Sequence, residues 1–261
     1  MTEFVIETAL LTHGLSSVSN DRLLELWPWK EPRLVWLEGG RLRRGTLEEF
    51  LPIRDRCKTV RRVNRAGYRQ ARAQGDDAAL TASATMEAAM DLSIPVAVTG
   101  GMSGIGDIAG EELCPDLPAL AELPIVLVAT APKDVIDIGA TIKWLIVHGV
   151  KVLGKQGDIC TGFLLDNQKI PLSGAWQGQP VSPQTLLLQG IPAADRLKDA
   201  GIIREARKAG KAAQERGEAY HPAANAAIDR LSKGRSSLLQ LASLIANGKL
   251  AGSLTLGEEV R

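Results

Sequence analysis

The sequence predicts an α/β fold: a single-domain α/β/α sandwich over residues 1–261, with a mixed, largely parallel central sheet. Three observations predict it. Short apolar runs alternate with helical patterns, which implies right-handed crossovers and a sheet covered on both faces. The 261 residues, 45% hydrophobic and 23% charged, can bury a large core without staples. No repeat, low-complexity segment or linker divides the chain.

Residues 4–6 form a short apolar run ending at Glu7 and read as the first strand. RLVWLEGGRLRRG (33–45) reads as a hairpin turning at Gly39-Gly40. Thr46 and Glu49 have the spacing of a capping box, so a helix starts there. Arg54, Lys58, Arg61, Arg65, Arg69 and Arg72 follow at three- and four-residue steps and would share one face if helical. The Ala- and Met-rich stretch 78–91 reads as a buried helix, and 95–99 as a strand entering TGGMSGIG. PIVLVAT (124–130) is the clearest strand. A helix is expected from about Asp134 to His148, then a strand at 150–154. Residues 155–183, with Gly, Pro, Gln and Ser throughout, read as an irregular exposed excursion. TLLLQG (185–190) reads as a strand, and IPAADRL opens a helical C-terminal third.

Composition excludes several classes. A net charge of +1 and an aromatic content of 4% argue against a nucleic-acid binder. Three cysteines (Cys57, Cys114, Cys160) without paired spacing fit a reducing, cytoplasmic setting rather than a disulfide framework. MTEFVIETALLTHG has an acid at position 3 and no basic segment, unlike a secretory signal. No apolar run reaches about 18 residues, so no membrane span is expected. VAVTGGMSGIG resembles the phosphate turn of short-chain dehydrogenases. However, almost a hundred residues precede it, and neither Tyr68 nor Tyr220 has a lysine four residues on, so the nicotinamide reading is set aside. Trp27, Trp29 and Trp36 read as packing or a subunit contact.

The chemistry gathers at predicted strand ends, the edge where open α/β sheets bind ligands. Glu7 follows the first strand, Thr99-Gly100-Gly101 follows another, and Lys133 follows PIVLVAT. A lysine amine beside an apolar strand is partly desolvated, which lowers its pKa and frees it to attack a carbonyl. Without other information, Lys133 could equally be a lysine snorkelling at a strand end.

ETALLTHG, LVWLEGGRLRRG, TASATMEAA, VAVTGG and ATAPKDVIDIG occur in that order, and together they resemble the pseudouridine-5′-phosphate glycosidase family, which includes the indigoidine-cluster A protein. The resemblance is good over residues 3–154 and weak beyond. It implies reversible cleavage of the C–C bond between ribose 5-phosphate and uracil, a trimer, and a divalent ion, usually manganese. It implies that Glu7 is the proton donor, Lys133 the imine-forming amine, and Ala82 a substrate contact. A carbon leaving group has no lone pair to protonate, so an iminium at C1′ serves as the electron sink while an acid protonates the pyrimidine carbon.

This chain departs from the family pattern in the substrate-facing parts. RRVNRAG replaces a lysine and its Ser-Arg-Arg-Asp run, so Arg62 takes the phosphate-binding position, or else belongs to the exposed basic stripe. The family's His-Arg after Gly-Gly is absent. Counting back from Leu117 in the shortened SGIGDIAGEELCPDL puts Glu112 at the metal acid, with Asp107 and Asp116 as competitors. The same count puts Cys114, Pro115 and Asp116 at the family's Ser-Ala-Asp for the sugar phosphate. Lys155-Gln156-Gly157 replaces Tyr-Gln-Thr, and the Thr-Pro-Phe-Leu-Leu run and Asn-rich last helix are absent or collapsed into GRSSLLQLASLIANGKLAG. His13 matches a family histidine near the site or is a packed loop residue, and His221 is read as lying in the helical tail without partners. The expected function is a C-glycosidase acting on pseudouridine 5′-phosphate. The alternatives are a C-nucleoside synthase using another base and an inactive sugar-phosphate-binding paralogue. Nucleic acid and membrane are not expected partners.

Overall fold

A computed structural model describes residues 2–165 and 168–257. Its strands are β1 (Val5–Ile6), β2 (Leu34–Glu38), β3 (Arg41–Gly45), β4 (Arg61–Val63), β5 (Ala78–Leu80), β6 (Val96–Val98), β7 (Val126–Ala129), β8 (Lys151–Gly154), β9 (Ile159–Cys160), β10 (Ile170–Pro171), β11 (Gly174–Ala175) and β12 (Thr185–Leu188). All but β9 and β10 form one sheet, in the order β11-β8-β12-β7-β6-β1-β2-β5-β4, with β3 paired to β2. The β2–β3 and β2–β5 pairs are antiparallel; the other pairs of this sheet are parallel. The sheet is therefore mixed and mostly parallel, as expected.

Strand residues alternate between two buried layers. Val5, Val35, Ala97, Leu127 and Leu186 face one layer. It is covered by α3 (Arg65–Gln74), α4 (Ala82–Asp91), α5 (Asp116–Glu122), α6 (Ile138–Val147), α7 (Gly201–Glu215) and α8 (Tyr220–Leu231). Ile6, Leu34, Val96, Val126 and Leu187 face the other layer. A π-helical turn (Leu10–Gly14), α1 (Asn20–Leu26), α2 (Leu47–Asp55) and α9 (Arg235–Ser253) cover that side. Trp29 and Trp36 pack edge-on or tilted against Phe4 and Phe50 there, so these indoles serve the core.

The connection leaving β1 crosses the second face, whereas that leaving β6 crosses the first. Two neighbouring parallel strands whose connections diverge in this way open a crevice at their carboxyl ends, the usual ligand position of such sheets. Thr8 fixes the edge of that crevice. Its hydroxyl donates to Val35 O (2.7 Å) and accepts from Leu80 N (3.0 Å), tying the end of β1 to β2 and β5. Opposite, Asn247 of α9 donates to Thr99 O (2.8 Å) and Thr130 Oγ1 (3.0 Å), tying β6 to β7.

Several local expectations hold. The Gly39-Gly40 turn has positive φ at both positions, and Thr46 and Glu49 form the capping box of α2. Others are corrected. The basic stretch does not share one helical face: α2 ends at Asp55, β4 interrupts, and Asn64 caps a new helix. The segment 78–91 is β5 followed by α4, because Ala78–Leu80 pairs with β2 and β4 before Thr81 turns the chain. The helix expected from Asp134 starts instead at Ile138, capped by the Asp137 side chain on Ala140 N (2.8 Å). The excursion 155–183 is not wholly exposed: Phe163, Leu164, Leu165 and Trp176 are buried, and β11 adds to the sheet edge. Asp134 organises it by accepting from the amides of Phe163, Leu164 and Leu165. Within the same excursion β9 and β10 pair as a separate antiparallel ribbon. Residues 166 and 167 of this excursion lie outside the described residues. All three cysteines are free thiols, and among the described residues no helix is long and apolar enough to cross a membrane.

The Gly40 turn generates a test. Its φ is +73°, and an added Cβ would lie 2.3 Å from Arg72 O, a main-chain atom that cannot swing away. Gly40→Ala is expected to cost more than about 1 kcal/mol in urea unfolding, whereas Gly39→Ala, with the same hand of φ but open space, should cost less. Equal midpoints for the two variants would contradict the tight approach of this hairpin to the end of α3.

Candidate active site

Glu7 leaves β1 into the crevice and is 6% exposed. Its Oε1 accepts from Thr99 Oγ1 (2.5 Å) and Gly100 N (3.1 Å), across the β1–β6 boundary. Burial pushes its carboxyl above the usual carboxylate range, against the opposing pull of Thr99, Lys133 and Gly100. Lys133 follows β7, where its amide donates to Met102 O (3.0 Å) and a bridge between Met102 and Pro132 extends the β6–β7 pairing. Among the described residues its ammonium has no hydrogen bond or ion pair. Burial first, and the Arg62 charge second, pull it below the ordinary lysine range, while Glu7, Asp116 and Cys114 act in the opposite sense.

These two side chains line one small pocket with Arg62, His13, His221, Gly101, Leu10, Pro222 and Asn225. Its free space is about 30 Å³. Arg62 reaches it from β4 and, among the described residues, carries no ion pair or hydrogen bond, so its guanidinium can take an anionic oxygen pair. His13, on the π-helical turn, has Nε2 3.2 Å from Val60 O; burial holds its pKa below the usual value.

The other expected site residues are placed differently. Both Asp116 oxygens are taken by main-chain amides, Oδ1 by Ser83 N and Oδ2 by Ser103 N, each at 3.0 Å. Asp116 thus clasps the first turn of α4 to the loop after β6, immediately behind the pocket. Ala82 is buried in that first turn; Cys114 and Pro115 precede α5, and none of the three lines the pocket. Burial pushes the Cys114 thiol far up, so it is neutral.

Glu112 is exposed, and among the described residues its carboxylate accepts only from Gly110 N (3.2 Å). Its neighbour Glu111 turns inward instead, with Oε2 3.3 Å from His221 Nε2. That hydrogen bond holds Glu111 below the usual glutamate range, with Arg62 and Lys133 adding to the effect. The expected manganese site therefore does not fit these residues. Glu112 faces away, Glu111 shares its surroundings with two cationic groups, and among the described residues no three His, Cys, Asp or Glu side chains converge as ligands.

Sequence reasoning missed His221 and Asn247. His221 has partners after all: Ser103 Oγ at 2.8 Å and Glu111. The last helix, expected to have lost its asparagines, delivers Asn247 to the strand ends. The one signal available was an Asn and a His in otherwise apolar helical patterns of the tail.

The family model "Indigoidine synthase A like protein" matches residues 30–179. A pseudouridine-5′-phosphate glycosidase of Gemmatimonas aurantiaca is 31% identical, over 80% of this chain and 72% of its own. One of Methylobacterium nodulans is 26% identical, over 96% and 82%. Two crystal structures share the fold. An indigoidine synthase A-like protein of Thermotoga maritima has a TM-score of 0.74 at 18% identity, covering 95% of this chain and 90% of its own. The prealnumycin C-glycosynthase AlnA, in complex with ribulose 5-phosphate, has a TM-score of 0.75 at 22% identity, covering 97% and 90%. With strand-end Glu7 and Lys133 in one crevice of this fold, and a family model covering more than half of its length, the chain belongs to the pseudouridine-5′-phosphate glycosidase (indigoidine synthase A-like) family of enzymes.

Proposed function

We propose that this protein breaks or forms the C–C glycosidic bond between ribose 5-phosphate and uracil, with Lys133 forming the imine and Glu7 donating the proton. The observation that carries the reading is the enclosure of an acid and an unpaired amine in one pocket, where burial favours the neutral form of each. A neutral amine is the nucleophile, and a protonated carboxyl is the donor, that this reaction needs.

In the cleavage direction, the Lys133 nitrogen adds at C1′ and the furanose oxygen leaves it, taking a proton. The nitrogen lone pair then forms C=N while the electron pair of the glycosidic bond passes to the pyrimidine carbon. That carbon takes the proton of Glu7. Water adds to the iminium, releasing ribose 5-phosphate and the lysine, and returns a proton to Glu7. Thr99 and Gly100 hold one Glu7 oxygen, which fixes the direction of the other. Arg62 holds the phosphate. No step passes through a metal ion.

The relatives' names support pseudouridine 5′-phosphate as substrate. A second reading, synthesis with a different base, is favoured by the altered substrate-facing segments beside a retained Glu7 and Lys133 and by the fold shared with a C-glycosynthase. The reading carries with it a homotrimer in the cytoplasm. Sedimentation should give three times the chain mass, and a monomer at assay concentration would remove the trimer from it.

Borohydride added with ribose 5-phosphate should leave a reduced sugar adduct on Lys133, seen by intact mass and peptide mapping. Lys133→Arg keeps the charge but cannot form an imine, and should abolish trapping. A chelator should change trapping less than about twofold. Absence of the adduct at saturating sugar phosphate would defeat the imine, and loss of trapping in chelator would restore the metal. Release of uracil from pseudouridine 5′-phosphate decides between the two bases.

A stability consequence follows from the same burial. Glu7's folded pKa is raised, so its contribution to stability is lost as pH rises through that value; Lys133's is lowered, so its contribution is lost as pH falls through that value. Near neutral pH the pair therefore costs stability. The double variant Glu7→Gln/Lys133→Met should unfold at higher urea than the wild type, by about 1–4 kcal/mol, while losing activity. A double variant less stable than wild type would mean that the pair is a net stabilising salt bridge.

A further inference from the structure

His221 is, with His13 and Asn225, one of the polar side chains lining this pocket that the chemistry above leaves unused. It is the second residue of α8 and is 3% exposed. Its Nε2 meets Ser103 Oγ (2.8 Å), from the loop after β6, and Glu111 Oε2 (3.3 Å), from the loop before α5. A ring proton on Nε2 serves both contacts, since a hydroxyl oxygen can accept it and an ionised carboxylate only accepts. Nδ1 is then a bare lone pair, and it is buried with no partner among the described residues. A buried polar atom left unpaired is costly, so one at a pocket wall is a place where a ligand atom can complete the pairing.

We propose that His221 is a positioning residue for the sugar phosphate, and that it takes a proton from solvent as the ester enters and donates it from Nδ1 to a phosphate oxygen. The proposal rests on the reading of this pocket as a sugar-phosphate site.

The groups around the ring favour this exchange. Lys133 and Arg62 face it from beyond β7 and from β4, and Glu111 and Ser103 hold its far side. On α8 itself, the Tyr220 ring meets the imidazole edge-on at 5.4 Å. The neighbouring α7 turns Arg207 and Lys211 towards Tyr220. In the empty pocket, burial first and then the two cationic side chains push His221 down to about 4, so it is neutral at physiological pH. A phosphate dianion beside Arg62 reverses the local sign. One opposite charge about 4 Å away, at an effective dielectric of about 20, raises a basic group's pKa by about three. Glu111, already hydrogen-bonded, then stabilises the imidazolium from behind.

The experiment is calorimetric titration of the whole protein with ribose 5-phosphate at pH 6.5, in buffers of different ionisation enthalpy, which counts protons exchanged on binding. Wild type is compared with His221→Gln, so the ligand's own ionisation and that of Lys133 cancel in the difference. The wild type should take up at least about half a proton more than His221→Gln does, and His221→Gln should bind about tenfold more weakly. A merely structural histidine would change affinity without changing the proton count, so equal counts in the two proteins overturn the proposal while the sugar-phosphate reading stands. Failure of ribose 5-phosphate to bind the wild type overturns both. If His221→Gln does not fold, Glu111→Gln carries the test: removing the carboxylate behind the imidazolium should reduce the uptake, and an unchanged uptake defeats the proposal.

Discussion

Much of this molecule depends on a two-pronged hydrogen bond to one oxygen of a buried carboxyl. Glu7 Oε1 is held by Thr99 Oγ1 and Gly100 N, and those donors belong to the strand whose connection diverges from that of β1. The crevice between β1 and β6 is a consequence of topology; the clamp turns it into a site, because it fixes the acid without neutralising it. Here burial works against the mutual attraction of the two groups, raising the acid's pKa and lowering the amine's, so that each neutral form is easier to reach than in water.

The surrounding polar network keeps that arrangement from relaxing. Thr8 ties β1 to β2 and β5, Asn247 ties β6 to β7, and Asp116 ties α4 to the loop behind the pocket. Each of these groups is buried and hydrogen-bonded to two separate segments, so each constrains a strand end or a helix start. A carboxylate such as Asp116, with both oxygens on backbone amides, works as a clasp behind the pocket.

What was legible in the sequence follows the distinction between local and long-range placement. Glu7 and Lys133 could be found because each lies just beyond a strand, and in a parallel sheet the strand's end alone decides which edge a residue reaches, whereas Arg62 is reached only through the family resemblance, because the helical spacing of its basic neighbours hides β4. Counting through a shortened loop fixes a segment only to within a residue, while inward or outward direction changes at every residue; the count therefore selects Glu112 where the fold turns Glu111 inward. The arginines from 54 to 72 have helical spacing but span two helices and a strand, since Asn64 makes a better cap than a mid-helix residue and β4 finds β5 as a partner. His221 and Asn247 sit on helices whose docking depends on contacts with α7 and with the far face of the sheet, and no local pattern encodes that.

The pocket's size gives α8 a part beyond support. About 30 Å³ of free space holds a single water, and a sugar phosphate needs roughly ten times as much. Leu10 and His13 of the π-helical turn, with Pro222 and Asn225 of α8, form the part of the wall that does not belong to the sheet. The strand-end residues are fixed by the clamps on Thr8, Thr99 and Thr130, so the space must come from this helical side. Because His221 lies on that same helix, a displacement of α8 that admits the substrate also changes the distance from the imidazole to Ser103 and Glu111. On the proposed reading, the room for a sugar phosphate and the surroundings of the imidazole are therefore set by the same helix.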